Sequence, residues 1–330
     1  MTTISEVAKR AGVSKTTVSH VLSGKRPVNP DTRERVEAAI AELGFRPNGL
    51  ARSLRTRRSH TVAFLIPDIT NPYYPVLARG LQDSLVASGY HAFLCNTDAD
   101  RSQELEFLDD VAQRRVDGIA MVPFQISTDD LEHVVEASIP IVSISPHIEH
   151  PQVDQVTTDD VEGATDATLY LVARGHSTVA MIGGPPGLPP SDRRLAGYRR
   201  ALDRSGRPFD DRFLAEGDFT RRGGRRAMQT LMRLKPRPTA VLCANDLMAI
   251  GAMDSARELG CSIPDDMALV GYDDIEAAAL VSPALTTVLN PAYEMGHAAG
   301  RLLLERMADG YSGRPRRVVI PHRLIERESA

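Results

Sequence analysis

Apolar residues in the first 45 positions recur at helical spacing in three short segments. Thr3 and Glu6 have the spacing of a capping box and predict a first helix that places Val7 and Ala8 on its inner face. Gly12 is expected to end this helix, because glycine adopts the left-handed conformation that closes a helix.

A second helix is predicted from Lys15 to about Leu22, with Ser14 as its cap. Val18, Val21 and Leu22 are expected to turn inward from it. Two short helices joined by a tight turn form a helix-turn-helix.

The third predicted helix follows Asn29, which can cap it, and it ends at Gly44. Val36, Ile40 and Leu43 form its apolar stripe. The first 45 residues therefore predict a compact three-helix unit.

From residue 60 onward, strand-like apolar runs alternate with amphipathic helices. The runs are TVAFLIPD, HAFLCNT, GIAMVP and PIVSIS, then, after a break near residues 155–160, TVAMIGG, RFLAEGD, TAVLCAND and MALVGYDD. Such alternation indicates parallel sheets with right-handed crossovers, and two sets of four strands indicate two similar lobes. Open sheets of this kind bind ligands at the carboxyl ends of their strands, so facing lobes share a cleft.

Charge separates the two parts of the chain. Residues 1–58 hold 12 Lys and Arg against 5 Asp and Glu, a net charge of +7, whereas the remainder holds 27 against 38, a net charge of −11. A basic head on an acidic body indicates a polyanionic partner for the head alone.

Cysteine content and hydropathy indicate the cellular compartment. Cys95, Cys243 and Cys261 are odd in number and widely spaced, so they indicate neither a disulfide framework nor a zinc ribbon. The sequence shows no membrane-spanning run and no signal peptide, so a cytoplasmic location is expected.

In a helix-turn-helix the second helix enters the major groove, and its first exposed side chains reach the base edges. Lys15 can donate to guanine, Thr16 can touch a thymine methyl, and His20 follows one turn later. Thr17, Ser19 and Ser23 are expected on phosphates. The alternative is a three-helix unit that binds protein. The candidate DNA contacts are Thr3, Ser5, Ser14, Lys15, Thr16, Thr17, Ser19, His20, Ser23, Asn29, Ala51, Arg52, Leu54 and Arg55.

Residues 47–58, PNGLARSLRTRR, combine a short helical pattern with basic charge. Such a helix is too short to be stable alone, and Gly49 weakens it further. It makes sense as a segment that folds on DNA and pushes Leu54 between base pairs of the minor groove. The alternative is a plain basic linker.

The segments SKTTVSHVL and PNGLARSLR resemble the DNA-binding head and hinge of the lactose/galactose repressor family, most closely its purine-repressor branch. The resemblance implies a homodimer on a pseudopalindromic operator, with two hinge helices inserting Leu54 at a central CG step. Gly49 replaces the alanine common in that branch.

The body resembles the same family over its whole length, and the tail RRVVIPHRLIERES is similar to its closing strands. The implied fold class is an all-α head joined to a periplasmic-binding-protein-like α/β core of two doubly wound lobes. The expected domains are a head at 1–46, a hinge at 47–59 and a core at 60–330. The core divides into an N-lobe (about 60–159 and 290–320) and a C-lobe (about 160–289 and 321–330).

Eight residues are candidate contacts for a small-molecule effector. They are Tyr73, Tyr74, His147, Arg194, Phe219, Asn245, Asp246 and Asp273. The resemblance implies that an aromatic at Tyr73 or Tyr74 packs on the ligand ring, that Arg194 in an R-x-x-G-aromatic motif donates to it, and that Phe219 faces it. At least one of the two tyrosines is expected to pack only locally.

Asn245, Asp246 and Asp273 lie at strand ends, where a carboxylate can accept hydrogen bonds from sugar hydroxyls. The alternative is that Asp246 and Asp273 serve purely as helix caps.

Two departures from the family bear on the ligand. His147 follows Ser145 and Pro146 where many relatives have Asp-Arg, and it is expected at the rim of the cleft. Leu188 and Pro190 stand where the purine branch has polar residues. A sugar or polyol inducer is therefore favoured over a purine corepressor.

No Walker loop, dinucleotide fingerprint or nucleophile elbow occurs, so the chain is not predicted to be an enzyme, and no cofactor is expected. His147 and His150 have no third partner for a metal. The predicted function is a DNA-binding transcriptional repressor controlled by a small molecule. The alternatives are a regulator that responds to a protein partner or a corepressor and, more distantly, a two-lobed metabolic enzyme with a DNA-binding head.

Overall fold

The computed structural model describes residues 2–24, 26–45, 58–114, 116–308 and 313–330. The chain divides into two compact units, Met1–Ser59 and His60–Ala330. The bounds given above for the head, hinge and lobes stay predictions. Residues 46–57, which contain most of the hinge, lie outside the described ranges.

The first unit contains helices α1 (Ile4–Ala11), α2 (Lys15–Ser23) and α3 (Pro30–Glu42). Each begins at the cap that the sequence predicts, since Thr3, Ser14 and Asn29 accept hydrogen bonds from backbone amides of the following turn. Gly12 ends α1 in the left-handed conformation, with φ at 65°.

Val7, Val18 and Val36, one from each helix, are fully buried at the centre of this unit. The prediction that Leu22 also turns inward is wrong, because 39% of its surface is exposed. Neighbouring positions on a helix differ by about 100°, so Val21 fills the inner face and Leu22 lies beyond its edge.

The second unit is built on two six-stranded sheets. The N-lobe sheet is wholly parallel and has the strand order β11-β5-β4-β3-β1-β2. Its strands are β1 (Thr61–Ile66), β2 (His91–Asn96), β3 (Gly118–Met121), β4 (Ile141–Ser143), β5 (Val153–Thr157) and β11 (Arg317–Val319). Its helices are α4 (Tyr73–Val86), α5 (Arg101–Arg114), α6 (Glu132–Glu136) and α12 (Ala292–Met307).

The C-lobe sheet has the order β12-β10-β9-β8-β6-β7 and is parallel except for β12. Its strands are β6 (Val179–Gly183), β7 (Leu214–Glu216), β8 (Ala240–Cys243), β9 (Ala268–Asp273), β10 (Thr286–Leu289) and β12 (Arg323–Ile325). Its helices are α7 (Asp160–Ala173), α8 (Pro189–Arg204), α9 (Arg221–Leu231), α10 (Asp246–Glu258) and α11 (Glu276–Leu280). The two-lobed α/β fold class predicted from strand-helix alternation is confirmed.

The chain passes between the two sheets three times, after β5, after β10 and between β11 and β12. The predicted break at residues 155–160 is wrong in part, because β5 occupies residues 153–157 and is wholly buried. Its sequence VDQVT has no apolar run. Asp154 is nevertheless fully buried, since Arg306 and Arg316 donate hydrogen bonds to it at 2.9 and 2.7 Å.

Helices α4 and α12 approach each other closely beside the cleft between the lobes. A Cβ on Gly80 would lie 2.0 Å from the carbonyl oxygen of Tyr293, and one on Gly296 would lie 2.0 Å from that of Leu77. Glycine is therefore required at both positions for the two backbones to pack at this distance.

No helix in the described ranges combines the length and the apolar character needed to cross a membrane.

Candidate functional site

The first unit presents the amino end of α2 to solvent. Ser14 and Thr17 are bonded to each other, with 2.9 Å between their hydroxyl oxygens, and the Thr17 amide donates to Ser14 Oγ at 3.1 Å. Lys15 and Thr16 lie between them and are exposed. Within residues 2–24 and 26–45, neither Lys15 nor Thr16 makes a side-chain hydrogen bond or ion pair. Both are thus available to base edges, as direct readout requires.

The other predicted DNA contacts of this unit have structural roles as well. Thr3 shares a capping box with Glu6, and Asn29 Oδ1 accepts from the amide of Asp31 at 3.0 Å. The hydroxyl of Ser23 donates to the carbonyl of His20 at 3.4 Å. Ser5, Thr17, Ser19 and His20 are partly exposed, whereas Thr3, Ser14, Ser23 and Asn29 are fully on the surface. Ala51, Arg52, Leu54 and Arg55 lie outside the described residues.

A cavity of about 530 Å³ lies between the two lobes of the second unit. Its walls come from segments that follow strand carboxyl ends in both sheets, which is where open parallel sheets bind ligands. The lining residues are Pro67, Asp68, Thr70, Asn71, Tyr73, Tyr74, Asp98, Ala99, Phe124, Pro185, Leu188, Pro190, Arg194, Asp218, Phe219, Asn245 and Asp273.

Arg194 lies on the floor of this cavity between two carboxylates and is 5% exposed. Its Nε donates to Asp160 at 3.0 Å, and its Nη2 donates to Asp273 at 3.2 Å. Nη1 donates to the carbonyl of Ala244, and the guanidinium carbon is 3.8 Å from the ring centre of Tyr272. A guanidinium held on every side by charge, carbonyl and ring has one orientation.

Burial determines the ionisation of Asp273. It raises the pKa of this carboxyl from 3.8 to about 6, and the neighbouring Arg194 guanidinium only partly offsets the rise. Asn290 donates from its side-chain amide to Asp273 at 3.2 Å, which also favours the charged form. Asp273 therefore gains its charge in the range where most carboxyls are already ionised.

This shift predicts a specific pH dependence of stability. In the folded protein the Asp273 carboxyl keeps its proton between about pH 4 and 6, whereas in the unfolded chain it has already lost it. Its contribution to the free energy of unfolding is therefore full below pH 3.8 and is lost as the pH rises through 6. Two pKa units correspond to about 3 kcal/mol. Relative to Asp273→Asn, the wild type should lose about this much free energy of unfolding between pH 4 and 7. Urea unfolding followed by circular dichroism measures it, and parallel curves for the two proteins would contradict the prediction.

Four residues of the cavity wall have backbone conformations that side chains rarely adopt. Their φ angles are 51° at Asp98, 53° at Ala99, 61° at Phe219 and 110° at Asp273. Such residues cost of order 1–3 kcal/mol each and cluster at sites that hold ligands. The strain thus coincides with the wall where the strand ends converge.

Most of the predicted effector contacts meet in this cavity. Tyr73 and Tyr74 are buried and in edge-to-face contact, with ring centres 5.3 Å apart, and the Tyr73 hydroxyl lies 3.6 Å from the sulfur of Met295. Asn245 caps α10 and donates to the carbonyl of Phe219 at 2.9 Å, which fixes the segment carrying that ring. Both tyrosines line the cavity.

Asp246 and His147 do not line the cavity. Asp246 is fully buried beneath it, where it accepts from the Thr287 hydroxyl at 2.5 Å and from the amide of Ile275 at 2.9 Å. Burial raises the pKa of Asp246 well above its ordinary value. It therefore ties the loop after β9 to β10, a structural role.

His147 turns toward its own loop. Its Nδ1 lies 2.6 Å from the Ser145 hydroxyl, and burial lowers its pKa. The neighbouring His150 accepts from the amide of Gln152 at 3.1 Å and lies 3.5 Å from Glu132. In the described part of the chain, no three His, Cys, Asp or Glu side chains come together as a metal site.

Several residues of the site were not identified from the sequence. Asp160 holds Arg194, and Asp68, Asp98 and Asp218 line the cavity. Asp68 and Asp218 each follow a strand by two residues, so the strand-end rule that selected Asn245 also applies to them. In the sequence, Asp160 shows only the pattern of a helix start. Its pairing with Arg194 depends on the tertiary structure.

Comparison with known proteins accounts for both units. Residues 3–48 match the family model described as "Bacterial regulatory proteins, lacI family", and residues 168–330 match "Periplasmic binding protein-like domain". The chain is 37% identical over 331 residues to the ribose operon repressor of Escherichia coli (strain K12), with 100% of both chains covered.

Two solved structures share the architecture. The lac repressor dimer bound to operator and the anti-inducer ONPF superposes with a TM-score of 0.88 at 26% identity, covering 99% of this chain and 98% of that one. The transcriptional regulator CelR–cellobiose complex superposes with a TM-score of 0.75 at 33% identity, covering 100% of both chains. These relatives are regulators rather than enzymes. The chain is a DNA-binding transcriptional regulator and belongs to the lacI family of bacterial regulatory proteins.

Proposed function

We propose that this protein is a homodimeric repressor whose operator affinity falls when a sugar or polyol binds in the cavity between its lobes. The observation that carries the proposal is the cavity itself, where one paired guanidinium and several carboxylates lie among aromatic rings. Carboxylate, guanidinium and amide groups suit hydroxyls, and ring faces suit the apolar side of a sugar.

The polar and apolar parts of the wall are arranged for this class of ligand. Arg194, Asn245 and Asp273 provide polar groups on the C-lobe side, while Tyr73 and Phe124 bring rings from the N-lobe side. The cellobiose in the complex of the relative CelR is a ligand of this kind.

The wall disfavours a purine corepressor. Leu188 and Pro190 line the cavity, where they offer a base edge no hydrogen-bond partners. A purine edge that faces these two side chains would lack hydrogen-bond partners on that side, which costs free energy.

The coupling to DNA is proposed to run through the hinge. Two copies of residues 47–59 would dock side by side in the minor groove, with Leu54 inserted at a central CG step and Ala51, Arg52 and Arg55 beside it. Closure of the cavity on a ligand would change the distance between the two hinges and release them. By linkage, operator DNA must lower ligand affinity by the same factor. Because operator DNA lies in the cytoplasm, we place the protein there.

A ligand panel with an operator readout tests this function. An operator is first selected from randomised DNA with the full-length protein, and thermal shift is then measured with ribose, cellobiose, glucose, galactose, sorbitol, adenosine and hypoxanthine. A true effector at 100 times its Kd adds about 2.7 kcal/mol, roughly 5 °C in Tm, and should weaken operator binding about tenfold or more.

The Asp273→Asn variant is the control, since it should bind operator normally and lose the ligand response. A purine that tightens operator binding would contradict the inducer proposal and indicate corepression. If the protein responds to none of these compounds, a regulator controlled by a protein partner becomes the favoured function.

A further inference from the structure

A second, smaller chamber of about 70 Å³ opens beside the ligand cavity. The two share Tyr73, Tyr74, Phe124, Pro190 and Arg194 in their walls, so they adjoin at the aromatic end of the cavity. The chamber extends from there toward the segments where the chain passes between the lobes. A single water needs only about 10–15 Å³ by this measure, so the chamber admits a small polar group.

Three buried side chains in the chamber wall have polar atoms without a partner. Thr157, Thr158 and Asn290 are 1%, 6% and 5% exposed. Within the described residues, Thr157 Oγ1, Thr158 Oγ1 and Asn290 Oδ1 form no hydrogen bond. Buried polar atoms are nearly always paired, so three in one small chamber call for a partner.

The direction of the Asn290 amide follows from its neighbour. Its nitrogen donates to the Asp273 carboxylate, which can accept but not donate while ionised. The amide oxygen is therefore turned away from Asp273, and it is this oxygen that lacks a partner among the described residues.

The three groups come from two of the passages between the lobes. Thr157 ends β5 and Thr158 follows it, whereas Asn290 follows β10. The carbonyl of Thr157 also accepts from the amide of Ile320 at 2.8 Å, which ties the third passage to the same point. A ligand group in the chamber would contact both lobe-connecting segments at once.

We infer that the chamber binds a hydroxymethyl arm of the effector, while the ring of that effector occupies the main cavity. This inference rests on the proposed function, because it assumes a polyhydroxy ligand there. A hydroxyl both donates and accepts, so it can donate to the Asn290 oxygen and pair with the threonine hydroxyls.

The charges in the wall disfavour a cationic group. Asp160 is paired with Arg194 at 3.0 Å and lies 3.8 Å from Arg193, so its charge is already balanced. An ammonium group would meet two guanidiniums at unfavourable cost in a buried space. A neutral hydroxyl has no such conflict.

The test uses sugar pairs that differ by one hydroxymethyl group. D-xylose and D-glucose are one pair, and L-arabinose and D-galactose are the other. Isothermal titration of the full-length protein should show at least one hexose binding about tenfold more tightly than its pentose. In the double variant Thr157→Val, Thr158→Val this ratio should fall to about one, with the pentose Kd changed less than twofold.

A matched variant separates this role from a structural one. The Thr168 hydroxyl is equally buried but donates to the carbonyl of Ala164 at 2.8 Å, outside both cavities. Thr168→Val should lower Tm and leave the hexose-to-pentose ratio unchanged, whereas the double valine variant should have a Tm no lower than wild type.

The outcomes distinguish the inference from the function on which it rests. If neither hexose binds more tightly than its pentose, or if the valine variant keeps the preference, the chamber does not hold the arm, although the sugar cavity stands. If none of the four sugars and none of the wider panel binds, the sugar-binding function itself is refuted and the inference falls with it.

Discussion

Replacement of Arg194 by methionine is expected to lower the free energy of unfolding by about 3–5 kcal/mol and to abolish the response to ligand. Breaking a buried ion pair by removing one partner has an effect of this size, because the remaining charge is left without compensation. Here two carboxylates, Asp160 and Asp273, would lose their shared guanidinium at once. Methionine keeps much of the length and apolar volume of the side chain, so lost packing contributes little.

A charge-neutral combination is the control for this variant. Arg194→Met together with Asp160→Asn and Asp273→Asn should recover most of the lost stability, because no uncompensated charge is then buried. It should still not respond to ligand, since its cavity floor no longer carries the charged donors and acceptors.

The measurement is urea unfolding followed by circular dichroism, which suits a chain without tryptophan. A loss below about 1 kcal/mol for the single variant would contradict the buried-pair argument, since surface pairs give losses of that size. A ligand response that survives would remove Arg194 from the site.

Replacement of Lys15 by methionine is expected to weaken operator binding by about 2–6 kcal/mol in a dimer. A side chain that contacts a guanine edge contributes about 1–3 kcal/mol of discrimination, and a twofold operator uses it twice. The affinity should fall about thirtyfold or more. The base preference should relax at one position of each half-site.

Lys9→Met is the matched control, because Lys9 is also an exposed lysine of the head but lies near the end of α1. It removes the same charge, so any effect should be uniform across sequences and visible mainly as a smaller salt dependence. Fluorescence anisotropy with the operator and its single-base variants separates the two. Equal losses for both variants with unchanged base preference would mean that Lys15 contacts only phosphates.

The head is the part of the protein whose structure the sequence predicts most fully. Thr3, Ser14 and Asn29 cap their helices as expected, because a cap depends on residues two or three positions away. The prediction for Leu22 is wrong because the inner face of a nine-residue helix is set by the residues that pack on it, and Val21 already makes that contact.

The lobes contain one strand, β5, that sequence patterns did not predict. Apolar runs predict the strands that are buried among apolar neighbours. They miss β5, whose Asp154 is buried only because Arg306 and Arg316 arrive from more than 150 positions away. A buried strand that contains a charged residue lacks the apolar pattern of a buried strand. It therefore cannot be recognised before the partners of that charge are known.

Some residues of the ligand site could be placed from the sequence, and others could not. Strand-end position sufficed to place Asn245 and Asp273 at the cavity, since parallel strands bring their carboxyl ends to one edge. The resemblance to the family was needed to place Tyr73 and Phe219 there. The strand-end rule put Asp246 there too, and the tertiary structure instead turns it toward Thr287.

The sequence by itself therefore determined the helix caps, the alternation of strands and helices, the basic head on an acidic body and the edge at which a ligand would bind. All of these depend on residues that are neighbours along the chain or on rules of chain direction. The tertiary structure alone decided which side chains meet. Arg194 joins Asp160 and Asp273 across 34 and 79 positions, and burial then raises the pKa of Asp273 to about 6. Burial and pairing at such separations are properties of the packed molecule, because the charge, the ring and the apolar wall that produce them come from different lobes and strands.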